Sequence, residues 1–138
     1  MVIDASVAVK WLVPEPGADA AKAWLSTSSR LIAPGLLAVE VASALLRRMR
    51  DGTLSPHYTR QALDAWQAIL GDEVVTLTSD ELLLGPAIEL SFEIRHPLAD
   101  CLYLSLAESA DAVLLTSDHT LHKRASKRCS SRLLNADD

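Results

Sequence analysis

Aromatic residues are scarce in this chain: one Phe, two Tyr and three Trp, 4% of 138 residues. A core must therefore be aliphatic, built mainly from Leu, Ala and Val, and a hydrophobic content of 49% is enough to build one. Cysteine is nearly absent. Cys101 and Cys129 share no C-x-x-C spacing and make no disulfide framework. Cys101 sits in an apolar run and reads as a packed thiol, and a reducing cytoplasm is the expected compartment. No apolar run approaches the roughly 20 residues of a membrane span. No basic segment leads into a long apolar stretch with a cleavage site, so neither a signal peptide nor a membrane partner is expected. Positive charge is also in deficit. Thirteen Lys and Arg stand against eighteen Asp and Glu, a net charge of −5, with an isoelectric point near 5.3. That balance argues against broad electrostatic capture of nucleic acid. It leaves room for a local basic rim around an acidic metal pocket.

What is present is an alternation. Short aliphatic runs at Met1–Ala5, Leu31–Pro34, Val74–Leu77, Ala112–Thr116 and Arg132–Leu134 read as strands. Most are continuous rather than alternating, as suits parallel strands covered on both faces. Between them lie helical patterns at Ser6–Val13, Ala18–Ser26, Leu36–Arg50, Pro56–Leu70, Asp80–Phe92, Ala99–Ser109 and His119–Lys127. Ser55 before Pro56 is an N-cap followed by proline at the first helical position. Asp51–Gly52 is a turn signal. The order predicts an α/β three-layer domain over residues 1–138, with Asp137–Asp138 as a frayed tail. No internal repeat or linker interrupts it.

Four carboxylates stand out because their neighbours are apolar. Asp4 follows Val2–Ile3, and Asp118 follows the run Val113–Ser117. Both close a strand at its carboxyl end, where open α/β sheets bind ligands. Each could instead cap the helix that follows. Glu40 lies in LLAVEVASALL, on a helical face with Leu36, Leu37, Ser43, Ala44 and Arg47. A Glu on an apolar face needs a partner. Arg47 could be that partner, or the carboxylate could serve as a ligand. Asp100 in HPLADCLYLSLA falls in the first turn of a helix, where the dipole favours it. Carboxylates gathered together raise one another's pKa unless a cation neutralises them. An all-oxygen set suits a hard cation such as Mg²⁺ or Mn²⁺.

In order, VIDASVAVKWLVPEP, LAVEVASALLRR, HPLADCLYLSLA and AVLLTSD resemble the PIN domain, and more closely the VapC toxins of bacterial type II toxin–antitoxin pairs. The resemblance covers nearly the whole chain. It implies a parallel sheet of order 3-2-1-4-5 between helices, with Asp4 and Asp118 as neighbours. It implies that Asp4, Glu40, Asp100 and Asp118 are the catalytic carboxylates, binding Mg²⁺ or Mn²⁺ for endoribonuclease cleavage. Ser6 matches a small hydroxyl residue after the first Asp, and Thr116 a hydroxyl residue beside the site. Ser43 replaces an Asn often found three residues after the Glu, though its hydroxyl can still hydrogen-bond. The resemblance further implies an RNA substrate, a cognate VapB-like antitoxin seated on the early helices, and a homodimer.

The remaining polar residues frame that reading. Arg47, Arg48 and Arg50 end a helix, where they complement its dipole. Arg47, Lys123, Arg124 and Lys127 are the candidates for RNA phosphates, within a basic group that also holds Arg128 and Arg132. A solvated helix face is the alternative. His57, His96, His119 and His122 form no catalytic set by spacing, and His96–Pro97 reads as the turn into the Asp100 helix. Trp11, Trp24 and Trp66 read as core by default, with an exposed edge for a partner as the alternative. Two rival functions remain. One is another Mg-dependent phosphoryl hydrolase, although VIDAS lacks both the second Asp of haloacid-dehalogenase-type phosphatases and the acidic pair of receivers. The other is a catalytically silent PIN-like binding module.

Overall fold

In the computed structural model, which describes residues 1–134, the short aliphatic runs become five strands. They are β1 (Val2–Ile3), β2 (Leu31–Pro34), β3 (Val75–Thr78), β4 (Leu114–Thr116) and β5 (Ser131–Leu133). All pair in parallel, in the order β3-β2-β1-β4-β5. This is the expected 3-2-1-4-5 arrangement. The expected tail at Asp137–Asp138 lies outside the described residues.

Seven α-helices among the described residues complete a three-layer α/β/α architecture: α1 (Ala5–Ala8), α2 (Ala18–Ala23), α3 (Leu37–Arg50), α4 (Pro56–Gly71), α5 (Asp80–Ile94), α6 (Leu98–Ser109) and α7 (His119–Ala125). The cap before α4 forms as the sequence indicates, with the Ser55 hydroxyl accepting from Tyr58 N at 3.1 Å.

The first two helices differ from the sequence reading. The expected Ser6–Val13 helix is one α-turn that tightens into a 3₁₀ turn at Val9–Trp11, and Ala18–Ser26 ends the same way at Trp24–Ser26. Pro14 cannot continue a helix, and the chain tightens before it. The first strand is also shorter than Met1–Ala5, because Asp4 already serves as the N-cap of α1. α5 continues past Phe92 and stops where Arg95 enters the left-handed region at φ 51°.

The core is aliphatic, as the composition requires. Val2, Ile3, Leu37, Leu45, Leu104, Leu114 and Leu115 are wholly buried. Each such Leu or Ile contributes about 1.5–3 kcal/mol relative to exposure. Trp11 and Trp66 are buried, and their indole N–H groups donate to Ala21 O and Ala38 O. Because β1 and β4 are central and adjacent, the chain leaves them in opposite directions across the sheet, toward β2 and toward β5. A crevice opens at such a reversal, outside the carboxyl ends of the strands.

Candidate active site

The register of β1 against β4 builds the first corner of this crevice. Val2 pairs with Leu114 and Ile3 with Leu115, so the next residues on each strand, Asp4 and Thr116, meet. The Thr116 hydroxyl donates to Asp4 Oδ2. Ser6 donates its hydroxyl to Asp4 Oδ1 at 2.6 Å, and Val7 N donates to the same oxygen at 3.2 Å. Ser6 Oγ in turn accepts from Ser117 N, and Thr116 Oγ1 from Asp118 N. Asp4 is thus an N-cap and something more. It is 5% exposed, and among the described residues it has no cationic partner. Burial pushes its carboxyl up to about 6; the Ser6, Thr116 and Val7 hydrogen bonds oppose that shift, and the Asp100 charge adds to it.

Two helices bring further carboxylates. Glu40 lies on α3, half-buried, and accepts from the Tyr103 hydroxyl at 2.6 Å. Burial raises its proton affinity, the Tyr103 bond opposes this, and the charges of Asp100 and Asp80 reinforce it. Arg47 is exposed and makes no ion pair with Glu40, so the salt-bridge reading of Glu40 does not hold. Asp100 sits in the first turn of α6, and its Oδ2 lies 2.7 Å from His96 Nε2. His96 does more than shape the turn before Pro97: its side chain is 9% exposed and engages Asp100 directly. Tyr103, one turn beyond Asp100, is buried. Burial raises its phenol pKa further, as do the hydrogen bond to Glu40 and the charges of Glu40, Asp4 and Asp100. Asp4, Glu40 and Asp100 therefore form one electrostatic group around that phenol.

Asp118 stands apart from this group. It is exposed, and its Oδ1 caps α7 by accepting from Thr120 N at 2.8 Å and Leu121 N at 3.1 Å. Its link to Asp4 runs through the Thr116 hydroxyl. Ser43 is exposed and lines the groove between α3 and α4, with no side-chain bond to the acidic group among the described residues. The basic group divides in two. Lys123, Arg124 and Lys127 line an open depression with His119 and Thr120. Arg128 instead pairs with Glu93 and Glu108, and the Arg132 guanidinium lies 5.3 Å from the Trp24 ring centroid. His122 meets Ser131 through Nδ1, 2.8 Å from its Oγ, tying α7 to β5.

The PIN-domain family model matches residues 1–127. The chain belongs to the PIN-domain family. Ribonuclease VapC1 of Mycobacterium tuberculosis is 30% identical over 135 residues, 96% of each chain. Ribonuclease VapC3 of the same organism is 35% identical over 122 residues, 88% of this chain and 84% of that one. These relatives make it a PIN domain of the VapC type. Two crystal structures share the fold. PAE2754 from Pyrobaculum aerophilum has a TM-score of 0.71 at 20% identity, covering 94% of this chain and 81% of that one. VapC20 of M. tuberculosis, described as a Sarcin-Ricin loop cleaving toxin, has a TM-score of 0.66 at 15% identity, covering 87% of this chain and 91% of that one.

The donors of this PIN domain fit a hard divalent cation in kind. They are all oxygen, they repel one another, and among the described residues the most buried of them has no cationic side chain to pair with. Their placement is looser than their chemistry: among the described residues no three His, Cys, Asp or Glu side chains stand within common reach of one ion. Tyr103 and Asp80 escaped the sequence reading. Asp80 Oδ1 accepts from Leu36 N at 3.1 Å, across 44 residues, steadying the start of the helix that carries Glu40. A signal for Tyr103 did exist. A buried Tyr needs an acceptor, and the spacing from Asp100 places both on one helical face.

Proposed function

We propose that this PIN domain, spanning residues 1–138, is a metal-dependent endoribonuclease. It hydrolyses RNA phosphodiester bonds as the toxin of a toxin–antitoxin pair, in the cytoplasm. The observation that carries the reading is Asp4: a buried carboxylate with no cationic partner among the described residues, within reach of the Asp100 charge that also acts on Glu40, at the carboxyl ends of the central strands. The VapC ribonucleases at 30% and 35% identity support the choice of RNA.

Asp4, Glu40, Asp100 and Asp118 would hold Mg²⁺ or Mn²⁺. When bound, the ion supplies Lewis-acid stabilisation of the negative charge that develops on the phosphate and leaving oxygen. The protein's own groups do the rest. Ser6 and Thr116 fix the direction of the Asp4 carboxylate. His96 does the same for Asp100. Lys123, Arg124 and Lys127, together with Arg47 on α3, would hold RNA phosphates and set which bond is presented. Asp118 caps α7 and borders the site through the Thr116 hydroxyl.

Two partners follow from the same reading. The groove between α3 and α4, lined by Val39, Leu46, Leu63 and Leu70, would seat an apolar segment of a VapB-like antitoxin. The outer face of α5, with Leu82 and Phe92 largely exposed, would meet a second copy. No helix among the described residues is long and apolar enough to cross a membrane.

The test is purified protein on single-stranded RNA. Cleavage with Mn²⁺ that stops with EDTA and with Asp100→Asn supports the proposal. Cleavage unaffected by EDTA overturns its metal dependence. A silent binding module would capture the antitoxin without cutting RNA, and a phosphoryl hydrolase of another kind would split a small phosphate ester and leave RNA intact.

A further inference from the structure

Tyr103 is 2% exposed and sits in the most apolar part of α6, yet its hydroxyl ends on a charged group. The acceptor is Glu40 Oε1 at 2.6 Å, on α3 and 63 residues away in sequence. Among the described residues Glu40 has no ion pair and no other side-chain donor. A glutamate side chain with three rotatable bonds is otherwise free to swing. The bond ties α3 to the helix that carries Asp100, one turn before Tyr103, and it occupies one of the two Glu40 oxygens.

We propose that Tyr103 is a positioning residue: its phenol aims the Glu40 carboxylate at the space shared with Asp4 and Asp100, so that one oxygen of Glu40 is offered to a cation. The proposal rests on the metal-site reading given above. Partners that orient a metal ligand in this way are worth about 10–100-fold in metal affinity or activity when removed. A Tyr that merely needed any acceptor would affect packing and leave metal uptake unchanged.

Tyr103→Phe removes only the hydroxyl and keeps the ring. Mn²⁺ titration calorimetry on wild type, Tyr103→Phe, Glu40→Gln and the double variant tests the idea. Expected are a roughly tenfold weaker Kd for Tyr103→Phe and a double variant no weaker than Glu40→Gln alone. Tyr103→Phe binding within about twofold of wild type overturns the inference alone; a double variant losing the product of both effects also does so. Wild type that takes up no Mn²⁺ overturns the metal-site reading and this inference with it. A second measurement needs no substitution at Tyr103. In protein labelled with 3-fluorotyrosine, the Tyr103 fluorine resonance should move as Mg²⁺ is added to wild type and stay still in Glu40→Gln. A resonance unmoved in a wild type that binds Mg²⁺ overturns the inference.

Discussion

Replacing Asp4 by Asn should make this protein more stable at neutral pH while removing its proposed activity. Burial raises the Asp4 carboxyl from its ordinary 3.8 to about 6. Between those values the folded protein holds a proton that the unfolded chain has released. Stability therefore falls as pH rises across that window, and the whole penalty is present above about pH 6. A displacement of roughly two on the pH scale corresponds to about 3 kcal/mol. The uncharged amide of Asp4→Asn would escape this penalty. Its Oδ1 can still accept from Ser6 and Val7 N, while the exchange of Oδ2 for an amide nitrogen disturbs the Thr116 bond, at about 1 kcal/mol. The balance is a gain of about 2 kcal/mol, or roughly 5–8 °C in Tm for a chain of this length. Well below the ordinary 3.8 Asp4 is protonated in both states, so the burial penalty vanishes and only the cost of about 1 kcal/mol at the Thr116 bond remains. Thermal melts of both proteins from about pH 4 to about pH 8, without divalent ions, give the difference directly. An Asp4→Asn variant less stable than wild type near pH 7.5, or a gain equal at the two ends of that range, would refute this reasoning.

Three further outcomes follow from other contacts. His96→Ala removes the partner 2.7 Å from Asp100 and should weaken Mn²⁺ binding about tenfold by calorimetry, with His96→Gln recovering part of the loss. Lys123→Ala with Lys127→Ala should lower RNA affinity and flatten its salt dependence in filter binding, leaving Mn²⁺ affinity unchanged. Phe92→Asp alters a side chain that is 80% exposed, so the fold should persist by circular dichroism while self-association in sedimentation is lost.

How much of this was legible in the sequence varies with the reach of each contact. Asp4 announced itself by closing the run Val2–Ile3, and its position at a strand end is a local property. Its meeting with Thr116 needs only the strand order and a parallel register, and the resemblance implied that order. Glu40 was conspicuous because α3 is otherwise apolar there. Its partner was not, because Arg47 is near in sequence while Tyr103 comes from a helix 63 residues on. Which of two helical faces meets across the core depends on packing that periodicity does not encode. Asp80 shows the same limit: its local position reads as a first-turn acid, and its bond to Leu36 N is purely tertiary. Asp118 shows the reverse, since its local capping role prevails over convergence with the other carboxylates.

In the proposed function the acidic group around Asp4 cuts RNA. Expression in cells of wild type beside Asp4→Asn, with RNA 5′-end mapping, tests it most directly, because the variant is expected to fold at least as well. Growth arrest and new 5′ ends at discrete sites are expected with wild type, and neither with Asp4→Asn. The same discrete ends from the Asp4→Asn protein would contradict it.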